Sequence, residues 1–257
     1  MRDWASSGGA KLDRAKELIA DFERSKHEFL EKRPYTAASQ FDEKRKDGQL
    51  AFFVNDCPPV PARLAAVSAD AIHNLRAALD ILWNQAWTQG RAGTQKEYFP
   101  LPEDAKNFEA RFATVKQDHH KAAVSVLRKV EPWNNLFKVL NELDNKDKHE
   151  MPVLTAAIQN KLVLIPPPDV VLDGQNMKIE AERHGFMFLE KGKDLAIGIT
   201  LLTDQGPVTK LACDIEADIA FGPGEALEGQ AVLEKINEFA RLVRGAADAF
   251  LAAGLVK

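Results

Sequence analysis

Apolar residues recur along this chain with two different periods. From Lys11 to about Lys32, Leu12, Ala15, Leu18, Ile19, Phe22 and Phe29 are spaced by three, four or seven among many charges, which predicts a long helix with one wet face. Pro34 ends it. The stretch YTAASQFDEKRKDGQLAFFVND then reads as two extended segments around a charged tip, with Asp47-Gly48 as the hairpin turn. Pro58, Pro59 and Pro61 introduce a second, mostly apolar helix over 61–89, stopped by Gly90. Residues 91–104, with YFPLP at their centre, predict an irregular loop docked through Tyr98, Phe99 and Leu101. Shorter helices are expected over 105–115 and 119–129. A longer one over 134–149 carries Leu136, Val139, Leu140 and Leu143 on one face.

Beyond Pro152 the period shortens. Segments 152–165, 176–184, 185–190, 194–203 and 207–221 are rich in Val, Ile, Leu and Phe, and turn signals such as Asp173-Gly174, Lys191-Gly192 and Gln205-Gly206 separate them. They predict an antiparallel meander. A closing helix over about 229–253 carries Val232, Leu233, Ile236, Phe239, Ala240, Val243 and Phe250, with Gly254 as its stop. The order predicts an α+β fold in which a helical bundle packs with an antiparallel β-meander. It forms a single domain over 1–257, helical over about 1–150 and 228–257 and β over about 151–227.

Composition adds bounds. With 45% hydrophobic and 28% charged residues the chain has ample material for a core. A formal net charge of −4 gives no general attraction for nucleic acid. Cys57 and Cys213 stand far apart without metal-type spacing, so free thiols are expected rather than a disulfide. The sequence MRDWASSGGAKLDRAKEL lacks the apolar centre of a signal peptide, and no apolar run approaches a membrane span. The expectation is a cytoplasmic protein.

Candidate chemistry lies in two clusters. In AIHNLRAALDILWNQ, Ile72, Leu75, Leu79 and Leu82 form one helical stripe. His73, Arg76, Asp80, Trp83 and Trp87 form a second beside it, with Arg76 and Asp80 one turn apart and able to pair. In NELDNKDKHE, Asn141, Asn145 and His149 follow at one-turn intervals, flanked by Asp147 and Lys148. If the two helices are neighbours, these groups converge. A histidine then serves as base near neutral pH, an arginine or lysine holds a phosphate or carboxylate, and an aspartate orients the histidine. The alternative is structural: a buried Arg and Asp satisfied by each other and by amides, with Lys148 and His149 complementing a helix dipole. No metal-ligand spacing is present, and no metal or cofactor is expected. The adjacent His119 and His120 are expected to diverge on a helix surface, His27 to be exposed and His184 to serve a turn.

The motifs KLDRAKE, HNLRAALD, FPLP and LNELDNKDKHE together resemble a widespread bacterial family with the pattern His-Asn-Leu-Arg-x-Ala-Leu-Asp, then Phe-Pro, then Leu-x-x-Leu-x-Asn-x-Asp-Lys-His-Arg. The resemblance spans most of the first 150 residues. It implies site roles for His73, Asn74, Arg76, Asp80, Phe99, Pro100, Asn145, Asp147, Lys148 and His149, with Glu150 in place of the family's arginine. It brings no activity with it. A more distant likeness is to the HEPN nucleases, which would make His149 an acid or base and Arg76 the group stabilising a phosphorane. The functional expectation is a polar pocket binding a small anionic or nucleotide-like ligand through His73, Asn74, Asp80, Asn145, Asp147 and Lys148. The alternatives are HEPN-like RNA cleavage through His149 and Arg76, and a scaffold whose motifs only lock helices. The partners this admits are a small anionic ligand, RNA or a second copy of the chain, and no membrane.

Overall fold

A computed structural model describes residues 4–42, 49–88, 97–149, 155–165, 177–181, 187–203, 206–207 and 211–257. Among the described residues there are six α-helices: α1 (Ala10–Leu30), entered through a short π-helical turn at Ala5–Gly9, α2 (Ala62–Thr88), α3 (Ala105–Phe112), α4 (Asp118–Val130), α5 (Asn135–His149) and α6 (Val232–Ala252). The strands are β1 (Thr36–Asp42), β2 (Gln49–Asp56), β3 (Thr155–Ile165), β4 (Met177–Ala181), β5 (Asp194–Thr203), the two-residue β6 (Gly206–Pro207) and β7 (Ala212–Phe221). This is an α+β fold, and every ladder between its strands is antiparallel.

Helix α2 is the axis of the helical layer. Fourteen of its residues are buried, because α1, α5, α6 and α4 all pack on it. Leu12, Leu18 and Phe22 from α1, Leu75, Leu79 and Leu82 from α2, Leu140 and Leu143 from α5, and Phe239, Val243 and Phe250 from α6 fill one continuous core. That apolar burial supplies the main driving force for assembling the layer. Helix ends follow local rules. Asp104 caps α3 by accepting from the Asn107 N–H at 2.7 Å, and Glu131 closes α4 in the left-handed region at φ 55°.

The sheet order is β3-β7-β1-β2-β5-β4. The hairpin β1-β2 therefore occupies the middle of the sheet, flanked by strands from the far end of the sequence. A second, smaller core lies on this sheet and includes Tyr35, Leu50, Phe52, Val54, Leu195, Cys213 and Ile215. Residues 187–193 curl the sheet over it. The Leu189 N–H donates to the Ala157 carbonyl on β3, while Gly192 N–H and Lys193 O bond Val54 on β2. Gly192 turns at φ 79°, a conformation that suits the turn expected at Lys191-Gly192. Segment 185–190 was expected as a strand; its described part, 187–190, makes only a bridge from Phe188 to Ile158. The Lys26–Asp218 ion pair, at 2.6 Å, ties α1 to β7.

The closing helix starts at Val232 rather than near 229, because Gly224 and Gly229 both adopt positive φ and hold 222–231 in turns. The Asp47-Gly48 and Asp173-Gly174 turns, and His184, lie outside the described residues.

Candidate functional site

Helices α2 and α5 run antiparallel, so positions that rise along α5 fall along α2. Phe137 meets the Phe99 ring at 5.4 Å, Asn141 meets Arg76, and Asp144 meets His73. The two sequence clusters are thus on facing helices. Their contacts divide into a buried part and a half-open part.

The buried part is built on Arg76, whose side chain is 8% exposed. Its Nε donates to Asn141 Oδ1 at 2.9 Å, its Nη1 donates to Asp80 Oδ1, and its Nη2 donates to the Phe99 carbonyl at 3.5 Å. Asp80 Oδ1 also accepts from the Phe99 N–H at 2.9 Å. One turn further on, Asn84 Oδ1 accepts from the Glu97 N–H at 2.9 Å. The stripe Arg76-Asp80-Asn84 thereby receives the backbone of 97–99 as though it were a strand partner. The Arg76–Asp80 pairing expected from their spacing is present. Each of the three guanidinium nitrogens donates within the protein, which is how a buried cation escapes its desolvation cost.

The half-open part is His73 with Asp144. The His73 Nδ1 lies 2.9 Å from Asp144 Oδ1; the imidazole is 40% exposed while the carboxylate is 1% exposed. A buried carboxylate facing one ring nitrogen selects the tautomer with Nδ1 protonated and leaves Nε2 as the acceptor. Asp144 is not among the residues singled out from sequence. Its signal is an acid on the Leu140-Leu143 stripe of α5, where an unpartnered charge would be costly.

Other predicted residues separate from this centre. Asn74 is buried on the α1 side of α2, where its Nδ2 donates to the Asp70 carbonyl and its Oδ1 accepts from Lys11 Nζ at 3.1 Å. Asn145 is exposed. Phe99 and Pro100 are buried in the docked loop. The backbone of α5 runs through Asp147, Lys148 and His149, but their side chains lie outside the described residues. Preceding them, Lys146 pairs at 3.1 Å with Glu225, whose side chain is fully buried, and so fixes α5 to the turn before α6.

His119 and His120 do not diverge. Their rings sit 3.9 Å apart in the first turn of α4. The reason is the partner below: His120 stacks on Trp87 at 3.8 Å and 10°, with its Nε2 3.0 Å from the Trp87 carbonyl at the end of α2. Burial foremost, then the neighbouring His119, hold the His120 pKa below its ordinary value. His27 is exposed, as expected. Cys57 and Cys213 are both free thiols. Among the described residues no group of three metal-ligating side chains occurs, and no helix is long and apolar enough to cross a membrane.

A hollow of about 560 Å³ lies elsewhere, between the end of α1 and β7, walled by Leu30, Arg33, Tyr35, Asp214 and Glu216 among others. It contains none of the residues predicted to act. The chain matches no protein-family model, no curated protein and no solved structure.

Proposed function

We propose that the α2–α5 junction binds a small phosphate-bearing or nucleotide-like ligand, with His73 as its acid–base group and Asp144 as the residue that positions it. The carrying observation is the asymmetry of the pair: a 40% exposed imidazole held through Nδ1 by a 1% exposed carboxylate. Sheltering the acid keeps the ring oriented and presents Nε2 to a ligand, the division of labour used wherever an aspartate steers a catalytic histidine. Lys148 and His149, at the end of the same helix as Asp144, supply cationic and acid–base character for an anion. Arg76, Asp80 and Asn141 are the frame behind the site.

The enzyme form of this reading is HEPN-like RNA cleavage. The half-open His73 favours it, and His149 would be the second acid or base. Arg76 is the poorer candidate for steadying a phosphorane, because its three nitrogens already donate to Asn141, Asp80 and Phe99.

Calorimetric titration of wild type, His73→Ala and Asp144→Asn with ribose 5-phosphate and ADP tests the proposal. Wild type is expected to bind at least one of them, His73→Ala more than tenfold more weakly, and Asp144→Asn in between. Absence of binding to both, or equal binding by His73→Ala, refutes it. Single-stranded RNA incubated with chelator separates the enzyme form, for which cleavage must vanish in both His73→Ala and His149→Ala.

A further inference from the structure

Resting on that reading, we infer that Asn141 is a second ligand-contacting residue of the α2–α5 site. Its Nδ2 donates to a phosphate oxygen that stays an acceptor throughout, while His73 serves the oxygen that gains or loses a proton. Asn141 meets the frame through its Oδ1, which accepts from Arg76 Nε at 2.9 Å. An arginine Nε–H can only donate, so the amide oxygen must face it and the amide NH2 is turned the other way. Among the described residues no protein group accepts from this Nδ2. Asn141 is only partly buried, and the nitrogen is not sealed from solvent.

Asn141 stands beside the acid–base pair. His73 and Arg76 are three residues apart on α2, and their partners Asp144 and Asn141 are three apart on α5. The contacts His73–Asp144 and Arg76–Asn141, each at 2.9 Å, are therefore consecutive rungs between the same two antiparallel helices. Residues so spaced on a helix lie about 5–6 Å apart at Cβ. One small group that takes a hydrogen bond of about 2.9 Å from each side bridges a gap of that size. Among the described residues His73 Nε2 has no protein partner either, so two neighbouring rungs offer two unspent nitrogens.

The two nitrogens differ in kind. Nε2 accepts when the imidazole is neutral and donates when it is charged, whereas the amide Nδ2 donates in either case. A phosphate group offers the matching set: one oxygen that carries or releases a proton near neutral pH, and others that remain acceptors. The arrangement also gives the buried cation a route to the ligand. Each of the three Arg76 nitrogens already donates within the protein. A cation on the amide oxygen nevertheless polarises the amide and strengthens the N–H donors at its far end. Asn141 is thus the contact, and Arg76 is the positioning residue behind it.

Calorimetric titration of ribose 5-phosphate and ADP into wild type, Asn141→Asp, Asn141→Ser and His73→Ala tests this, with the unfolding transition of each variant recorded alongside. Asn141→Asp keeps an oxygen for Arg76 Nε and removes the donor; Asn141→Ser removes the donor without adding charge. Both are expected to bind about tenfold or more weakly than wild type, the order of a hydrogen bond to a charged group. Loss in Asn141→Asp alone assigns the effect to charge repulsion, and loss in Asn141→Ser alone assigns it to the frame; either overturns the contact. Wild-type affinity in both variants, with binding still lost in His73→Ala, overturns the Asn141 assignment but leaves the phosphate site standing. Failure of wild type to bind either probe overturns both.

Discussion

Replacing Arg76 by methionine removes the charge and the three donating nitrogens while keeping a long apolar stem in the core. Three acceptors are then deprived: the Asp80 carboxylate, Asn141 Oδ1 and the Phe99 carbonyl. Breaking a buried ion pair on one side costs about 3–5 kcal/mol, chiefly because the remaining charge stays buried without compensation. Asp80 retains the Phe99 N–H and has 18% of its side chain exposed, which argues for the lower end, about 3 kcal/mol. Against a total of about 5–15 kcal/mol that is a large fraction. The assay is urea unfolding followed by tryptophan fluorescence, since Trp83 and Trp87 stack 5.0 Å apart in the same helix. The double variant Arg76→Met/Asp80→Leu removes both charges and is expected to lose less than the two single losses added, a coupling of about 0.5–3 kcal/mol. A single-variant loss below about 0.5 kcal/mol, the range of an ordinary surface change, would refute the claim that Arg76 is spent on the frame. It would also return the guanidinium to the list of ligand-binding groups.

Two further outcomes follow from the perturbed groups. His120 titrates below its ordinary 6.5, so the unfolded chain binds the extra proton first and stability falls as pH drops from about 6.5 through the lower folded value; His120→Phe, which keeps the stack on Trp87, is expected to flatten that part of the pH–stability curve, and an unchanged slope would count against it. Burial pushes the Cys213 thiol up to about 11 and raises Cys57 as well. At about pH 8 the buried Cys213 should therefore react with a disulfide reagent far more slowly in the native protein than in denaturant, with the half-buried Cys57 labelling ahead of it, and rapid labelling of both thiols in the folded chain would contradict the burial of Cys213.

The helices were legible because their apolar stripes are long and unbroken. The helix begins at Ala62, one residue after the expected 61, and continues to Thr88; Gln89 lies outside the described residues. The Arg76–Asp80 pair was legible for the same reason, since one-turn spacing brings side chains together whatever the tertiary context. Asp144 was legible only in part: its place on the Leu140-Leu143 stripe marks it as an acid in need of a partner, but that partner sits on another helix and nothing local names it as a histidine. Asn74 shows the converse: next to His73 in sequence, it points to α1 and Lys11, because consecutive helical positions are 100° apart. The histidine pair at 119–120 failed by the same logic in reverse, as Trp87 beneath it overrode the local expectation. Strand positions were readable from composition, but the order β3-β7-β1-β2-β5-β4 was not, since pairing over such separations leaves no periodic trace.

That strand order also bears on synthesis. The hairpin β1-β2 is complete by Asp56, yet the strands that cover its two outer edges, β5 and β7, begin at Asp194 and Ala212. At about 5–20 residues per second, the ribosome takes on the order of ten seconds to deliver them. Through that interval the apolar LAFFV segment of β2 has a template edge and no partner for it. The hazard of aggregation is therefore concentrated in the nascent chain, and a chaperone that shields residues 36–56 during translation would raise the yield of this protein more than any stabilisation of its finished fold.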